Sequence, residues 1–170
     1  MLSFDIRSLD HDAVTVDAVL PADDSVWMDD DVLRPLREGV RVTGRLASAG
    51  AGRYYFSGHL AGSVQQDCGR CLVPVESVVG ADVHVLFAEP GELDDDPDVF
   101  PLEGHGDVLD LRQAVREQWL LEVPMFSVCR PDCKGLCPKC GTDLNAGACG
   151  CAPDTDARWD ALRNIPNAPE

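Results

Sequence analysis

No part of this 170-residue chain is long and apolar enough to span a bilayer as a helix. A spanning helix needs about 18 consecutive apolar residues or more, and the mean hydropathy of the chain is −0.11. The segment from Met1 to Asp10 also lacks the basic flank and the apolar stretch of a signal peptide. We therefore expect a cytoplasmic protein without membrane attachment, long enough for one domain with its own core.

Basic residues are scarce, which argues against a broad phosphate-binding surface. Lys and Arg together number 14 against 30 Asp and Glu, and the formal net charge is −16. Between Leu72 and Leu111 there is no Lys or Arg, whereas there are eleven acidic residues. Such a surface repels a phosphate backbone and attracts basic partners. The simpler interpretation of this stretch is a solvated acidic loop.

Motifs that would identify an enzyme are missing as well. The chain has no glycine-rich phosphate loop, no G-x-S-x-G and no H-E-x-x-H. Its four histidines are scattered, and none is next to a cysteine. We therefore expect a protein that is not an enzyme and has no small-molecule substrate.

The chain does contain eight cysteines, six of them between Cys129 and Cys151. Cysteine pairs with two intervening residues are typical of zinc bound by thiolates, and a reducing cytoplasm disfavours disulfides. Eight thiolates complete two tetrahedral sites and leave no coordination position open for catalysis. We therefore predict two structural Zn²⁺ ions. The predicted ligands are Cys68, Cys71, Cys129, Cys133, Cys137, Cys140, Cys149 and Cys151.

The spacing allows two divisions of these ligands between two ions. In the favoured division, the last four cysteines, from Cys137 to Cys151, bind one ion because the loop that connects them is short. The first four, from Cys68 to Cys133, then bind the other ion and connect distant parts of the chain. The alternative unites the four consecutive cysteines from Cys129 onward in one site and leaves the first two with the last two.

Alternating apolar residues predict that the first part of the chain is rich in β-strands. The predicted strands are residues 13–20, 40–46, 54–66 and 73–87. Turn residues at 50–52 make the second and third strands a hairpin. The predicted fold class is α+β, with an antiparallel β-sheet or partial barrel, one packed helix and a C-terminal zinc-binding cysteine segment. The expected units, packed on one core, are residues 1–107, with an acidic loop at 88–107, and residues 108–170.

The packed helix is predicted to begin after Asp110 and to end before Pro124. Asp110 is expected to be the N-cap, with Gln113 in the capping-box position. The apolar stripe expected to pack on the sheet consists of Leu111, Ala114, Val115, Trp119 and Leu121. A short terminal helix is predicted after Thr155 or Asp156.

Four motifs in a fixed order resemble the bacterial YceD family, the large ribosomal RNA subunit accumulation proteins. The first is Cys-Gly-Arg-Cys-Leu at 68–72, directly after a strand, and the second is Val-Leu-Asp-Leu at 108–111. The third is the helix end at 117–124, and the fourth runs from the cysteine at 133 to the asparagine at 145. The resemblance spans residues 40–162.

This resemblance implies a role in the accumulation or processing of 23S ribosomal RNA. It also implies that Cys68 and Cys71 share a site with Cys129 and Cys133. The expected partner is a 23S rRNA precursor, a basic ribosomal protein or a processing factor, and the acidity of the chain favours protein contact. A zinc-stabilised adaptor unrelated to ribosomes and a thiol oxidoreductase are the alternative functions.

A small group of basic residues is the candidate contact for RNA or a partner. These residues are Arg112, Arg116, Arg130, Lys134 and Lys139. Their simpler role would be to neutralise the charge of nearby thiolates.

Overall fold

The fold is built on a meander of long antiparallel strands. The computed structural model describes residues 1–50, 52–88, 99–102, 108–152 and 158. The elements in chain order are β1 (Ser3–Asp5), α1 (Ile6–Leu9), β2 (Val14–Leu20), β3 (Val40–Gly50), β4 (Arg53–Asp67), β5 (Pro74–Ala88), β6 (Val99–Pro101), β7 (Val108–Asp110) and α2 (Arg112–Glu122). Except for Arg158, the predicted terminal helix lies outside the described residues.

The main sheet has five strands in the order β2-β3-β4-β5-β6, and β1 pairs with β7 in a separate two-stranded sheet. All neighbours in the main sheet are antiparallel except β5 and β6, which are parallel. The sheet is open, so of the two predicted forms the antiparallel sheet is correct. The α+β class is confirmed.

The alternation of apolar residues places the core on one face of this sheet. Val40, Val42 and Leu46 of β3 have no exposed surface, while Arg41 and Arg45 between them are exposed. Successive side chains of a strand point to opposite faces, which explains this pattern. The predicted hairpin is confirmed by the pairing of β3 with β4.

Part of the segment predicted as an acidic loop is instead packed. Val99–Pro101 forms β6 against the end of β5, and Leu102 is 3% exposed. The backbone N–H of Leu102 donates to the carbonyl of Ala88 over 2.9 Å. For these four residues the loop prediction is wrong, because apolar side chains complete the sheet and core. Residues 89–98 and 103–107 of that loop lie outside the described residues.

Helix α2 packs its apolar stripe on the sheet. Trp119 is completely buried, and its indole Nε1 donates to the carbonyl of Leu33 over 2.9 Å. A Cβ on Gly62 of β4 would lie 3.0 Å from the Trp119 ring, which shows how closely helix and sheet approach. The stripe prediction is wrong for Leu121, which is 76% exposed.

The start of α2 differs by one residue from the prediction. The N-cap is Leu111, which makes no side-chain capping bond. Asp110 ends β7 instead, and its carboxylate accepts from the backbone N–H of Arg112 over 2.9 Å. Gln113 contacts Glu117 rather than the N-cap. Among the described residues, no helix has the length and apolar character needed to cross a membrane.

Candidate metal centres

The first group of cysteines lies at the turn between β4 and β5. It is called the hairpin cluster and consists of Cys68, Cys71, Cys129 and Cys133. Its four sulfur atoms all lie within 4.8 Å of one another. The Sγ atoms of Cys68 and Cys133 are 3.9 Å apart, and those of Cys71 and Cys129 are 3.6 Å apart. Three of the four cysteines are buried, and Cys129 is exposed.

These distances have the geometry of a four-coordinate metal site. Sulfurs bound at about 2.3 Å around a tetrahedral zinc ion are about 3.8 Å from each other. A disulfide would bring two sulfurs to about 2.05 Å, whereas all eight cysteines are unpaired thiols. The hairpin cluster therefore fits a metal ion and not a disulfide.

The Cys-Gly-Arg-Cys loop is held against the later cysteine segment by backbone contacts. The N–H of Gly69 donates to the carbonyl of Ser127 over 2.8 Å, and the N–H of Leu136 donates to the carbonyl of Arg70 over 2.9 Å. A Cβ on Gly69 would lie 2.2 Å from the ring of Phe126, so glycine permits this close approach. The loop and the segment after α2 are thus joined around the sulfurs.

The second group is called the distal cluster and consists of Cys137, Cys140, Cys149 and Cys151, again with all sulfurs within 4.8 Å. The knuckle that starts it is closed by two hydrogen bonds, from the N–H of Gly141 to the carbonyl of Cys137 and from the N–H of Cys137 to the carbonyl of Thr142. Gly141 has a φ of 72°, as predicted for a left-handed turn. Cys137 is buried and Cys140 is exposed, so this cluster lies nearer to solvent than the hairpin cluster.

The structure groups the cysteines as the favoured division predicts. The structure groups the first four cysteines and the last four, and not the four consecutive ones from Cys129 onward. The cause lies in the local turns: the knuckle brings Cys137 and Cys140 together, while Cys133 points back to Cys68.

Hydrogen bonds prepare individual thiols to bind metal as thiolates. The backbone N–H of Cys129 donates to Sγ of Cys68 and is the main cause that lowers the pKa of Cys68 to about 6. The hydroxyl of Thr142 is the main cause that lowers the pKa of Cys140 to about 6. Metal binding requires the thiolate form. Each cluster therefore contains a thiol that ionises readily at neutral pH.

Asn145, in the loop between Cys140 and Cys149, contacts the hairpin cluster through Sγ of Cys133, a role that sequence reasoning missed. Its Nδ2 donates to Sγ of Cys133 over 3.6 Å and to Asp143 over 2.7 Å. Its Oδ1 accepts from the backbone N–H of Lys134 and from the Arg130 guanidinium, both over 2.8 Å. The signal available in the sequence was an amide side chain five residues after the Cys-x-x-Cys knuckle.

The five predicted basic contact residues fall into different environments. The Arg116 guanidinium makes a bidentate ion pair with Asp31, with side-chain exposures of 12% and 5%. Arg112 pairs with Asp110 and Asp24 over 2.6 and 3.3 Å. The two helix arginines thus contact carboxylates of this chain and not thiolates.

The remaining basic residues lie beside the cysteines. Arg130 pairs with Asp132 over 3.4 Å, besides its bond to Asn145. Lys134 follows Cys133 directly, and Lys139 lies between two ligands of the distal cluster. The structure therefore divides the predicted group between α2 and the cysteine segment.

Comparison with known proteins connects these centres to a family. A family model described as "Large ribosomal RNA subunit accumulation protein YceD" matches residues 56–165, which include all eight cysteines and α2. An uncharacterized protein of Mycobacterium tuberculosis (strain H37Rv) is 31% identical over 163 residues, covering 94% of this chain and 72% of that protein.

A plant relative carries a more specific description. The maize protein described as "Large ribosomal RNA subunit accumulation protein YCED homolog 1, chloroplastic" is 25% identical over 145 residues, covering 67% of this chain and 49% of that protein. No solved structure matches. With two four-cysteine centres inside the matched region, the chain belongs to the YceD family of large ribosomal RNA subunit accumulation proteins.

Proposed function

We propose that this protein is a non-enzymatic, zinc-binding ribosome-biogenesis factor that supports the accumulation or processing of 23S rRNA. The observation that carries the proposal is the family match over residues 56–165, the part of the chain that contains both cysteine clusters. The proposal includes cytoplasmic residence, where reducing conditions keep thiols available for zinc.

The donor sets support a structural role for the metal. Each cluster offers four thiolates, and a tetrahedral zinc ion bound by four thiolates has no position left for substrate or water. A catalytic zinc site keeps such a position open. In this proposal the ions hold the β4–β5 turn and the segment after α2 in place, and they carry out no reaction.

Burial of Cys68 disfavours the thiol oxidoreductase alternative at the hairpin cluster, whereas Cys140 of the distal cluster is exposed and has no such protection. A pKa near 6 is also found in redox-active cysteines, so the value for Cys68 alone does not separate the two functions. Cys68 has no exposed surface, however. A disulfide substrate cannot reach that sulfur without opening the fold, and this favours metal binding.

A basic protein is the favoured partner. The chain carries a formal net charge of −16, which repels a phosphate backbone at long range. The charges of Arg112 and Arg116 are already balanced by carboxylates. Contact with a basic ribosomal protein or a processing factor therefore agrees better with the surface than direct contact with the 23S rRNA precursor.

Depletion of the protein from its own cells tests the proposal. The expected result is a loss of large ribosomal subunits on a sucrose gradient, with unprocessed 23S rRNA, and rescue by the wild-type chain. Purified native protein should contain two zinc ions per chain. Normal large subunits after depletion, with one dominant partner unrelated to ribosomes, would instead indicate the adaptor function.

A further inference from the structure

Among the described residues, strand β5 has a long edge without a neighbouring strand. It pairs with β4 along its whole length, from Pro74 to Ala88, but with β6 only from Leu86 to Ala88. In the part of the chain that the structure describes, no strand lies beside residues 74–85 on the outer edge. The opposite edge of the sheet is formed by β2, which has 7 residues against 15 in β5.

The hydrogen-bond pattern identifies the backbone groups on this edge. At the β4–β5 turn, the N–H of Cys68 donates to the carbonyl of Val73 over 2.8 Å. Bonded pairs alternate along an antiparallel ladder, and the register of β4 and β5 is uninterrupted. Odd-numbered residues of β5 therefore bond to β4, and even-numbered residues direct their N–H and C=O groups outward. The carbonyl of Ala88, which accepts from Leu102, agrees with this alternation.

Five exposed residues thus direct their backbone groups outward, and all except the glycine also present an exposed side chain. They are Glu76, Val78, Gly80, Asp82 and His84. Among the described residues, none of their backbone groups bonds to another backbone outside the β4–β5 ladder. Proteins protect such edges with charged side chains, especially Lys, with Pro or with a β-bulge. Residues 75–85 contain no Lys, Pro or bulge, and the charged side chains on this edge are the acidic Glu76 and Asp82. Val78 is 84% exposed.

The side chains on this edge are acidic and apolar, which defines the chemistry of an added strand. Glu76 and Asp82 lie six residues apart on the same face, with Val78 and Gly80 between them. The carboxylate of Asp82 accepts a hydrogen bond from Nδ1 of His59 over 2.9 Å, and its side chain remains 83% exposed. In an adjacent strand, residues directly opposite have Cβ atoms about 5 Å apart, close enough for opposite charges to pair.

We propose that the free edge of β5 binds an extended, basic segment of a partner protein as a sixth strand of the sheet. The segment carries Lys or Arg at two positions six residues apart, opposite Glu76 and Asp82, with an apolar residue opposite Val78. Main-chain hydrogen bonds supply affinity and the alternate side chains supply selectivity, as in other cases of strand addition. The inference rests on the proposed function for the partner class, a basic ribosomal protein or processing factor.

Two pairs of variants test the edge. Val78→Pro removes an outward N–H and places a ring where the added strand would lie, without removing a bond to β4. Val78→Ala keeps that N–H and removes only the apolar side chain, so it separates the backbone contribution to binding from the side-chain contribution. The double variant Glu76→Lys/Asp82→Lys reverses the charge of the edge. Its control, Asp12→Lys/Asp23→Lys, makes the same change in net charge at exposed positions flanking β2.

The probes are the Lys- and Arg-rich proteins of the large ribosomal subunit, purified and added one at a time to the zinc-loaded full chain. Binding is measured by fluorescence anisotropy at low and high salt, and edge protection by amide hydrogen exchange. Zinc content and melting temperature of each variant establish that it is folded. For the wild type we expect new protection from hydrogen exchange at residues 76–84 and binding that weakens with salt. In Val78→Pro and in Glu76→Lys/Asp82→Lys, binding should be weakened at least about tenfold. Asp12→Lys/Asp23→Lys should stay within about twofold of the wild type, and Val78→Ala should bind more tightly than Val78→Pro.

Several results would overturn this inference. The first is wild-type affinity in a folded Val78→Pro chain. The second is that the edge binds RNA, or a second copy of this chain, and not the basic protein. The third is that no probe protects residues 76–84 from hydrogen exchange. Complementation of depleted cells separates this inference from the proposed function. Loss of large subunits on depletion, with full rescue by Val78→Pro, would refute the edge alone. Normal large subunits on depletion, with edge-dependent binding of a basic protein in vitro, would refute the proposed function alone.

Discussion

Loss of one sulfur from the hairpin cluster should destabilise the whole fold, whereas loss of one sulfur from the distal cluster should not. The matched substitutions are Cys68→Ser and Cys140→Ser. Cys68 is completely buried beside the end of the main sheet, and Cys140 is exposed. Each variant is expected to lose the zinc ion of its own cluster. Only Cys68→Ser is expected to lower the unfolding temperature of the core strongly.

The expected magnitudes follow from chain length and burial. The hairpin cluster joins Cys68 to Cys133, 65 residues later, and a cross-link over that distance restricts the unfolded chain by about 4 kcal/mol. The distal cluster spans only residues 137–151, and a cross-link over that distance restricts the unfolded chain by about 3 kcal/mol. This cross-link does not involve the core. Stability of a domain is about 5–15 kcal/mol in total. Loss of the hairpin cluster should therefore lower the melting temperature by about 10 °C or more.

The assay combines zinc release with unfolding of the core. Zinc per chain is measured with a chromogenic chelator after the thiols are blocked. Near-ultraviolet circular dichroism of the buried Trp119 reports the core during heating. We expect a shift below about 4 °C for Cys140→Ser. Equal shifts in the two variants, or two zinc ions retained by Cys68→Ser, would refute the assignment of the hairpin cluster as the link between sheet and cysteine segment.

Three further predictions concern the packing around α2 and the cysteine loop. Arg116→Met should cost about 2–4 kcal/mol at pH 7 in urea unfolding. Arg116 holds the pKa of Asp31 below its ordinary value of 3.8. The stability that this ion pair contributes is therefore present above pH 3.8 and is lost as the pH falls through the lowered pKa. A stability difference between wild type and Arg116→Met that persists at lower pH would contradict this reasoning. Trp119→Ala should cost about 3–5 kcal/mol, and a loss below about 1 kcal/mol would contradict complete burial. Gly69→Ala should displace the exposed ring of Phe126, seen in its NMR shifts, at a cost below about 1 kcal/mol; an unchanged ring would contradict the close approach.

The sequence predicted those parts of the fold that depend on residues close to one another along the chain. The alternation in β3 identified its buried face, and the short loops of the distal cluster identified its four ligands. Both depend on residues that are close in sequence, where side-chain direction and loop length leave few arrangements. The grouping of Cys68 with Cys133 was the favoured one of two divisions that the spacing allowed, and the family resemblance implied it as well.

Features that depend on distant contacts were not predictable in this way. The composition around Val99 indicates a loop, yet tertiary packing makes it a strand beside β5. The sequence indicated that Arg116 is a basic residue available for contact, because its ion-pair partner Asp31 is 85 residues away. The sequence indicated only that Asn145 belongs to a turn, since its contact with Cys133 depends on how the knuckle folds back toward the hairpin cluster. Such pairings are properties of the folded chain and not of any window of sequence.

The position of Cys133 has a consequence for synthesis of the protein. A chain folds from its N-terminus as it leaves the ribosome, and β2 to β5 are complete by Ala88. Cys133, the last cysteine of the hairpin cluster, emerges from the ribosome 65 residues after Cys68, the first. Synthesis of β2 to β5 is therefore complete 45 residues before Cys133 is added. We expect the hairpin cluster to bind zinc with all four thiolates only after that point.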